Sequence, residues 1–393
     1  MAEVFGEALR RLRVAAGLSQ PQLSAAVHFS QSLISKVENG AERPSYDFAR
    51  ACDDTLGAGG RLLALVAAPK PAGRDDAEVE AWELADALTR SSISAQTLDH
   101  MERAVYGHAL GYPSTPPAAM LVPVRQQLRR LRQALSQPQT LAIRRRAVRL
   151  VGVLSGIAGN LSVDTGRDDQ AVTFFELGRL AGNEADDGDL TAWVLATHSI
   201  APFFAGQPTE AATLLDEADE LARRASGPRR WAWIQAHRAR AHAAAGDGAT
   251  ALACLDSARA AMDSVTEPPY GTDFFDSPRL DGLAGSTYLL LRDPDGATEL
   301  LSRALTGRAP ADAKGRALLT LDLAEAQVIA GDLDHASELA GQALDTARGA
   351  VVRPIVARAV ALRADMEPWG STRAAARLDS RLADLARGAE GEE

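Results

Sequence analysis

The sequence predicts an all-α protein in two parts, a small N-terminal cluster of short helices and then a long solenoid of paired helices. Three observations carry that expectation. Helix caps and apolar stripes follow one another closely over the first 68 residues. Small residues recur at fixed offsets from five later positions, and from Trp82 onward no convincing strand-like alternation occurs. With 393 residues, 46% hydrophobic and 24% charged, the chain has the composition of a folded protein of two or more domains. Its two cysteines, Cys52 and Cys254, allow no disulfide framework and no cysteine-based zinc site, which suits a reducing compartment. The first residues lack an apolar signal core, and no run of 18 uncharged apolar residues occurs, so the expectation is a cytoplasmic protein with no membrane partner.

The first helix is read over residues 7–16, where Leu9, Leu12 and Ala16 form one stripe and Gly17 is placed to end it. Ser19 with Gln22 three residues later is a capping-box pattern, and Pro21 is tolerated in a first turn, so a second helix starts there. Ser30 caps a third helix carrying Leu33, Ile34 and Val37, and Asn39-Gly40 stops it. Two short helices joined by a tight turn have the arrangement of a helix-turn-helix, whose second helix enters the major groove by its N-terminus.

Over residues 6–66 the chain, with GLSQPQLSAAVHFSQSLISKVENGAERPS at its centre, resembles the phage-repressor-like (Xre) helix-turn-helix family. That resemblance implies a five-helix domain spanning residues 1–68 that binds double-stranded DNA. It implies that Gln20 contacts phosphate, that Gln31, Ser32, Ser35 and Lys36 face base edges, and that Asn39 and Arg43 grip the sugar-phosphate backbone. The side-chain chemistry agrees, because Gln pairs with adenine N6/N7 and Lys with guanine O6/N7. The resemblance also makes Arg13 and Glu38 a structural ion pair between the first and third helices. His28 departs from the glycine usual in the turn, and histidine is among the residues that tolerate a left-handed backbone. The bland alternative for this segment is a small helical domain without DNA affinity. Residues 1–68 carry seven basic and seven acidic side chains, so one copy has little counterion release to draw on. A homodimer on two-fold-related half-sites is therefore expected.

Residues 69–80, beginning Pro69-Lys70-Pro71-Ala72-Gly73, read as a connector, and residues 81–393 as the second domain. There, segments align on Gly166, Gly206, Gly246, Arg292 and Gly331. Seven before each anchor stand Gly159, Ser199, Ala239, Gly285 and Ala324; five after stand Ala171, Ala211, Ala251, Ala297 and Ala336; twelve after stand Gly178, Ala218, Ala258, Ala304 and Ala343. Nine after come Phe175, Leu215, Leu255, Leu301 and Ala340. Small residues at such offsets let antiparallel helices approach closely. The pattern is similar to the tetratricopeptide repeat, with a longer period and a fourth copy lacking its glycine. Residues 122–161 are expected to supply one more helical pair in front, and residues 350–387 to cap the stack.

Such a solenoid has a concave face. The repeat frame places Val153, Asn160, Trp193, Ile200, Phe203, Phe204, Trp233, Arg240, Tyr288, Leu289 and Glu325 on it. Of these, Asn160, Trp193, Ile200, Phe204, Trp233, Arg240, Tyr288 and Glu325 are the candidate contacts to a peptide, small-molecule or protein effector. The same aromatics also suit packing between repeats. The insertion at residues 266–278 reads either as a lid over the groove or as a long surface loop. No acidic residue occurs between Glu102 and Asp164, whereas Arg103, Arg125, Arg129, Arg130, Arg132, Arg144, Arg145, Arg146 and Arg149 fall in that window. This cluster reads as a solvated face beside acidic neighbours or as a second phosphate-contacting patch.

No Gly-Lys dipeptide, HExxH, CxxC or GxSxG occurs, so no enzyme chemistry, metal or cofactor is expected. The combination resembles the pheromone-receptor regulators of Gram-positive bacteria and actinobacterial Xre-type regulators. It implies a transcription regulator whose repeat domain binds an effector that modulates operator binding. The alternative is a repeat-based interaction adaptor with weak or auxiliary DNA binding.

Overall fold

In the computed structural model the described residues are 4–66, 76–347 and 352–390. They are helical with no strand among them, and they divide into two compact units, Met1–Leu88 and Thr89–Glu393. The first unit begins with α1 (Phe5–Ala15), α2 (Gln20–Val27), α3 (Gln31–Glu38) and α4 (Tyr46–Thr55), and a single 3-10 turn, Leu63–Leu65, stands in fifth place. Its core gathers Leu9, Leu23, Ile34, Val37, Phe48 and Leu62, with the Phe29 ring edge-on to Phe48 at 5.2 Å. The caps form as the sequence requires. Ser19 and Gln22 cap α2 reciprocally, Ser30 accepts from the Leu33 amide at 3.2 Å, and Gly17 and Gly40 take positive φ after α1 and α3. Residues 69–75 of the expected connector lie outside the described residues. From Asp76 the chain is already helical, in α5 (Asp76–Thr89), because Ala-Glu-Val-Glu-Ala-Trp-Glu is a run of good helix formers.

The second unit contains α6 (Ala95–Gly111), α7 (Pro117–Leu135), α8 (Leu141–Asp164), α9 (Asp168–Glu184), α10 (Gly188–His198), α11 (Ile200–Phe204), α12 (Pro208–Ala225), α13 (Pro228–Ala244) and α14 (Gly248–Asp263). It continues with α15 (Ser277–Leu290), α16 (Pro294–Gly307), α17 (Ala313–Ala330), α18 (Leu333–Thr346), α19 (Arg353–Asp365) and α20 (Arg373–Glu390). Each anchor lies in the turn of a hairpin: α8/α9, α10–α11/α12, α13/α14, α15/α16 and α17/α18. Pro202 offers no N–H to the carbonyl of His198, and the helix breaks there into α10 and α11.

All five anchors have positive φ, from 63° at Arg292 to 87° at Gly246. In each turn the next amide bonds back five residues, as from Asp247 to His242 at 2.9 Å and from Asp293 to Tyr288 at 2.9 Å. That is the six-to-one bond of a Schellman ending. Asp247, Asp293 and Asp332 then cap the following helix. Arg292 carries a Cβ into this left-handed conformation. Arg292→Gly relieves about 1–2 kcal/mol of left-handed strain against about 0.4–1 kcal/mol of added unfolded-chain entropy and is expected to raise the stability of the second unit slightly, whereas Gly246→Arg should lower it; denaturant melts of the full chain check both.

The small-residue columns do the packing expected of them. A Cβ on Gly159 would lie 2.6 Å from the Phe175 ring, and one on Gly285 would lie 2.6 Å from Leu301. In these two hairpins the small residue seven before the anchor thus receives the large one nine after it. Residues 122–161 supply most of α7 and α8, which pack against each other, and α8 also serves as the first helix of the Gly166 hairpin, so the pair in front shares a helix with the first repeat. α8 is the one described helix long and apolar enough to cross a membrane, and 78% of its apolar window is buried inside the repeat core.

The first helices of the hairpins pack in series: α8 on α10, α10 on α13, α13 on α15, α15 on α17 and α17 on α19. α19 then returns to α8, so the layer closes into a ring. Lys314 of α17 donates to Asp164 at the end of α8 at 2.6 Å, the Tyr112 hydroxyl donates to the same carboxylate at 2.5 Å, and Arg353 pairs with Asp168.

Candidate nucleic-acid interface and repeat interior

In the first unit, α3 is held from both ends. His28 turns the chain with φ 58°, Ser24 Oγ bonds the Phe29 carbonyl at 2.6 Å, and Ser30 caps the helix. At the other end Glu38 is buried, accepting from Arg13 Nε at 2.6 Å and Nη2 at 3.0 Å and from Gln20 Nε2 at 2.8 Å. Burial alone would raise the pKa of this carboxyl, but the bonds from Arg13 and Gln20 outweigh it and hold it below its ordinary value. Ile34 and Val37 face the core, which leaves Gln31, Ser32 and Lys36 exposed and Ser35 half-buried on the opposite face. Asn39 and Arg43 are exposed just beyond the helix, and Gln20 is half-buried against Glu38. The Lys36 ammonium lies 3.5 Å from Glu42, an exposed pair that costs little to exchange for another partner.

In the second unit, the register position six before each anchor carries Asn160, Ile200, Arg240, Ser286 and Glu325. The Arg240 guanidinium lies 4.1 Å from the centre of the Phe203 ring and 5.8 Å from that of Phe204, with Nη2 3.4 Å from His237 Nδ1. Burial pushes the Arg240 pKa down to about 10, and burial with the Arg240 charge holds His237 well below its ordinary value. Arg358 of α19 donates to Asp322 at 2.8 Å and to Glu325, and Ser286 donates to Asp322. The insertion is neither free nor idle. Arg229 and Arg230 bind its carbonyls at Phe275, Glu267 and Thr272, Phe275 is buried, and Tyr270 meets Tyr106 of α6 at 5.2 Å. It is a strap tied between α13 and α6.

Residues 4–66 match the family model described as "Helix-turn-helix domain". The N-terminal unit contains a helix-turn-helix domain. No curated protein matches the chain. Among solved structures, that of Bacillus thuringiensis PlcR in complex with the peptide PapR7 and DNA is similar at 16% identity, covering 67% of this chain and 95% of that one. Its TM-score of 0.29 is too low to place any residue here.

In the helix-turn-helix domain, the seven residues expected to meet DNA lie on or beside α3 and the start of α2. The eight expected effector contacts are less uniform. Asn160, Ile200, Phe204 and Arg240 stay partly accessible, and Glu325 is 8% exposed beneath Arg358. Trp193 and Trp233 are each 5% exposed and are packing residues, not open lining. Trp193 fills the space over Gly156, and Trp233 stands edge-on to His237 and Phe274. Tyr288 packs in the seam between hairpins, against the clusters of Leu255 and Leu301. The arginine cluster divides as well. Arg146 binds Asp99 and Glu102, Arg149 binds Asp187 and Arg145 binds the end of α9, whereas Arg125, Arg129, Arg130 and Arg132 stand exposed along α7.

Sequence reading missed a surface groove of about 460 Å³ between the α7–α8 turn and α9, lined by Leu135, Leu141, Leu177 and Leu180 with Arg144 and Glu184 at its rim. Leu141 is 82% exposed there, at the first turn of a helix whose interior turns are core. Only the break between that polar start and the apolar remainder of α8 hinted at it.

Proposed function

We propose that the chain is a cytoplasmic, sequence-specific DNA-binding transcription regulator. In this reading Gln31, Ser32, Ser35 and Lys36 of α3 read base edges in the major groove, and Gln20, Asn39 and Arg43 fix the helix on the phosphate backbone. The observation that carries it is the exposed polar face of α3, oriented by the buried Arg13–Glu38–Gln20 bonds and capped at its entry. Because the domain's charges cancel, two copies acting on two-fold-related half-sites supply the affinity that one lacks. The repeat unit binds a peptide, small-molecule or protein effector inside its ring, at Asn160, Ile200, Phe204, Arg240 and Glu325, and modulates operator binding by preferring one arrangement of the ring.

The test is a selection of bound fragments from the source genome by the native chain and by a Gln31→Ala, Lys36→Ala variant, at stated salt. Recovery of a palindromic site by the native chain alone supports the reading. If neither enriches a site, the exposed groove at Leu141 and Leu180 favours the second reading, an interaction adaptor that docks a partner protein.

A further inference from the structure

Arg240 is the one interior cation of the second unit's register column, and its surroundings lack what a buried guanidinium needs. Its Nε is buried with no hydrogen-bond partner among the described residues. The acidic group that acts on its charge does not bond it: the Asp322 oxygens take Arg358 and Ser286. What Arg240 does touch is aromatic, with Phe203 under its flat face, and a neutral His237 beside Nη2. Asp322 and Arg358 act on its charge with opposite signs. An arginine stacked on a ring offers its Nε edge as a fork of two parallel N–H groups, the geometry that matches a carboxylate. Phe203 and Phe204, whose ring centres lie 4.1 and 5.8 Å from the guanidinium, are partly accessible and supply apolar surface next to it. Asn160, at the same register position two hairpins earlier, also carries a buried amide oxygen without a partner.

We propose that Arg240 anchors a carboxylate of the effector, bound two-pronged at its Nε edge, with an apolar or aromatic group of the same ligand against Phe203 and Phe204. The inference rests on the reading of the ring interior as an effector site and names its chemistry: a free organic acid or the C-terminal carboxylate of a peptide.

The full chain is to be titrated with phenylacetate and with its neutral counterpart phenylacetamide. A second pair is N-acetyl-Ala-Ala-Phe with a free or an amidated C-terminus. Thermal unfolding and Trp fluorescence are followed, Trp233 being adjacent to His237. Native chain is expected to show a saturable rise in Tm with an acid and none with its amide, the better acid telling free acid from peptide. Arg240→Met should abolish the response, and Arg240→Lys, which keeps the charge but loses the fork, should weaken binding by about tenfold or more. No saturable response of the native chain to any of the acids, or an equal response in Arg240→Met, overturns the proposal. Fragment selection on the same preparations separates it from the wider reading. Enrichment without an acid response removes the Arg240 site and leaves the regulator, whereas an acid response without enrichment leaves the site and removes the regulator.

Discussion

Asp164→Ala is expected to cost the second unit about 3–5 kcal/mol, the loss typical when one partner of a buried ion pair is removed and the other is left behind. The Asp164 side chain is 2% exposed and accepts from Lys314 and Tyr112, and Lys314 also donates to the Tyr112 hydroxyl at 3.0 Å. Burial and the Asp164 charge push the Tyr112 phenol well above its ordinary pKa, so it stays protonated and donates. Each ion also sits at the unfavourable end of its own helix. Asp164 is the last residue of α8 and Lys314 the second of α17, so each offsets a dipole penalty carried by the other. The bond joins residues 150 apart in sequence and ties α17 to the end of α8. Denaturant unfolding of the full chain, followed by Trp fluorescence, gives the magnitude. Amide hydrogen exchange at the end of α8 and the start of α17 should accelerate together. A loss below about 1 kcal/mol, the range of an exposed pair, would show that this bond contributes little to holding the ring.

Glu38→Ala carries a similar expected cost, about 3–5 kcal/mol, in the helix-turn-helix domain. It strands the Arg13 guanidinium, whose side chain is 10% exposed, and releases Gln20 from the position from which it is proposed to meet phosphate. The variant should therefore show faster hydrogen exchange in α1 and α3 and weaker DNA binding together. The pH dependence follows from the lowered Glu38 pKa. A lowered carboxyl contributes stability that is complete above its unfolded value, about 4.3, and is lost as pH falls through the lower folded value. Acid titration of the native domain should show that loss, and Glu38→Gln should flatten it. An unchanged acid profile in Glu38→Gln would assign the transition to other carboxyls.

Features that are local or repeated were legible in the sequence. Ser19, Ser30 and the five anchors act within a few residues, and the columns through Gly159 and Phe175 recur often enough to be seen without a structure. What escaped notice depends on the curvature summed over the hairpins. Nothing near Arg353 or Asp168 announces that the two ends of the ring meet, and nothing near Tyr270 announces Tyr106. Trp193 and Trp233 were legible as inward-facing, but whether an inward side chain is open or packed depends on its neighbour, here Gly156 for the first and Phe274 for the second. The run of arginines in residues 122–161 suggested a separate pair because it stands out by charge, although α8 already carries the small residue Gly159 of the next hairpin.

Whether α3 reads sequence is decided by the ratio of affinities for a selected site and its scrambled version, measured at one physiological salt concentration with the native chain and the Gln31→Ala, Lys36→Ala variant. For the native chain the ratio should be about 10³ or more. The variant loses two base-edge contacts, each worth about 1–3 kcal/mol of discrimination, and should fall most of the way to non-specific binding with its helical content unchanged. A native ratio near one, or a variant that keeps the native ratio, would contradict the reading of α3 as the sequence-recognising helix.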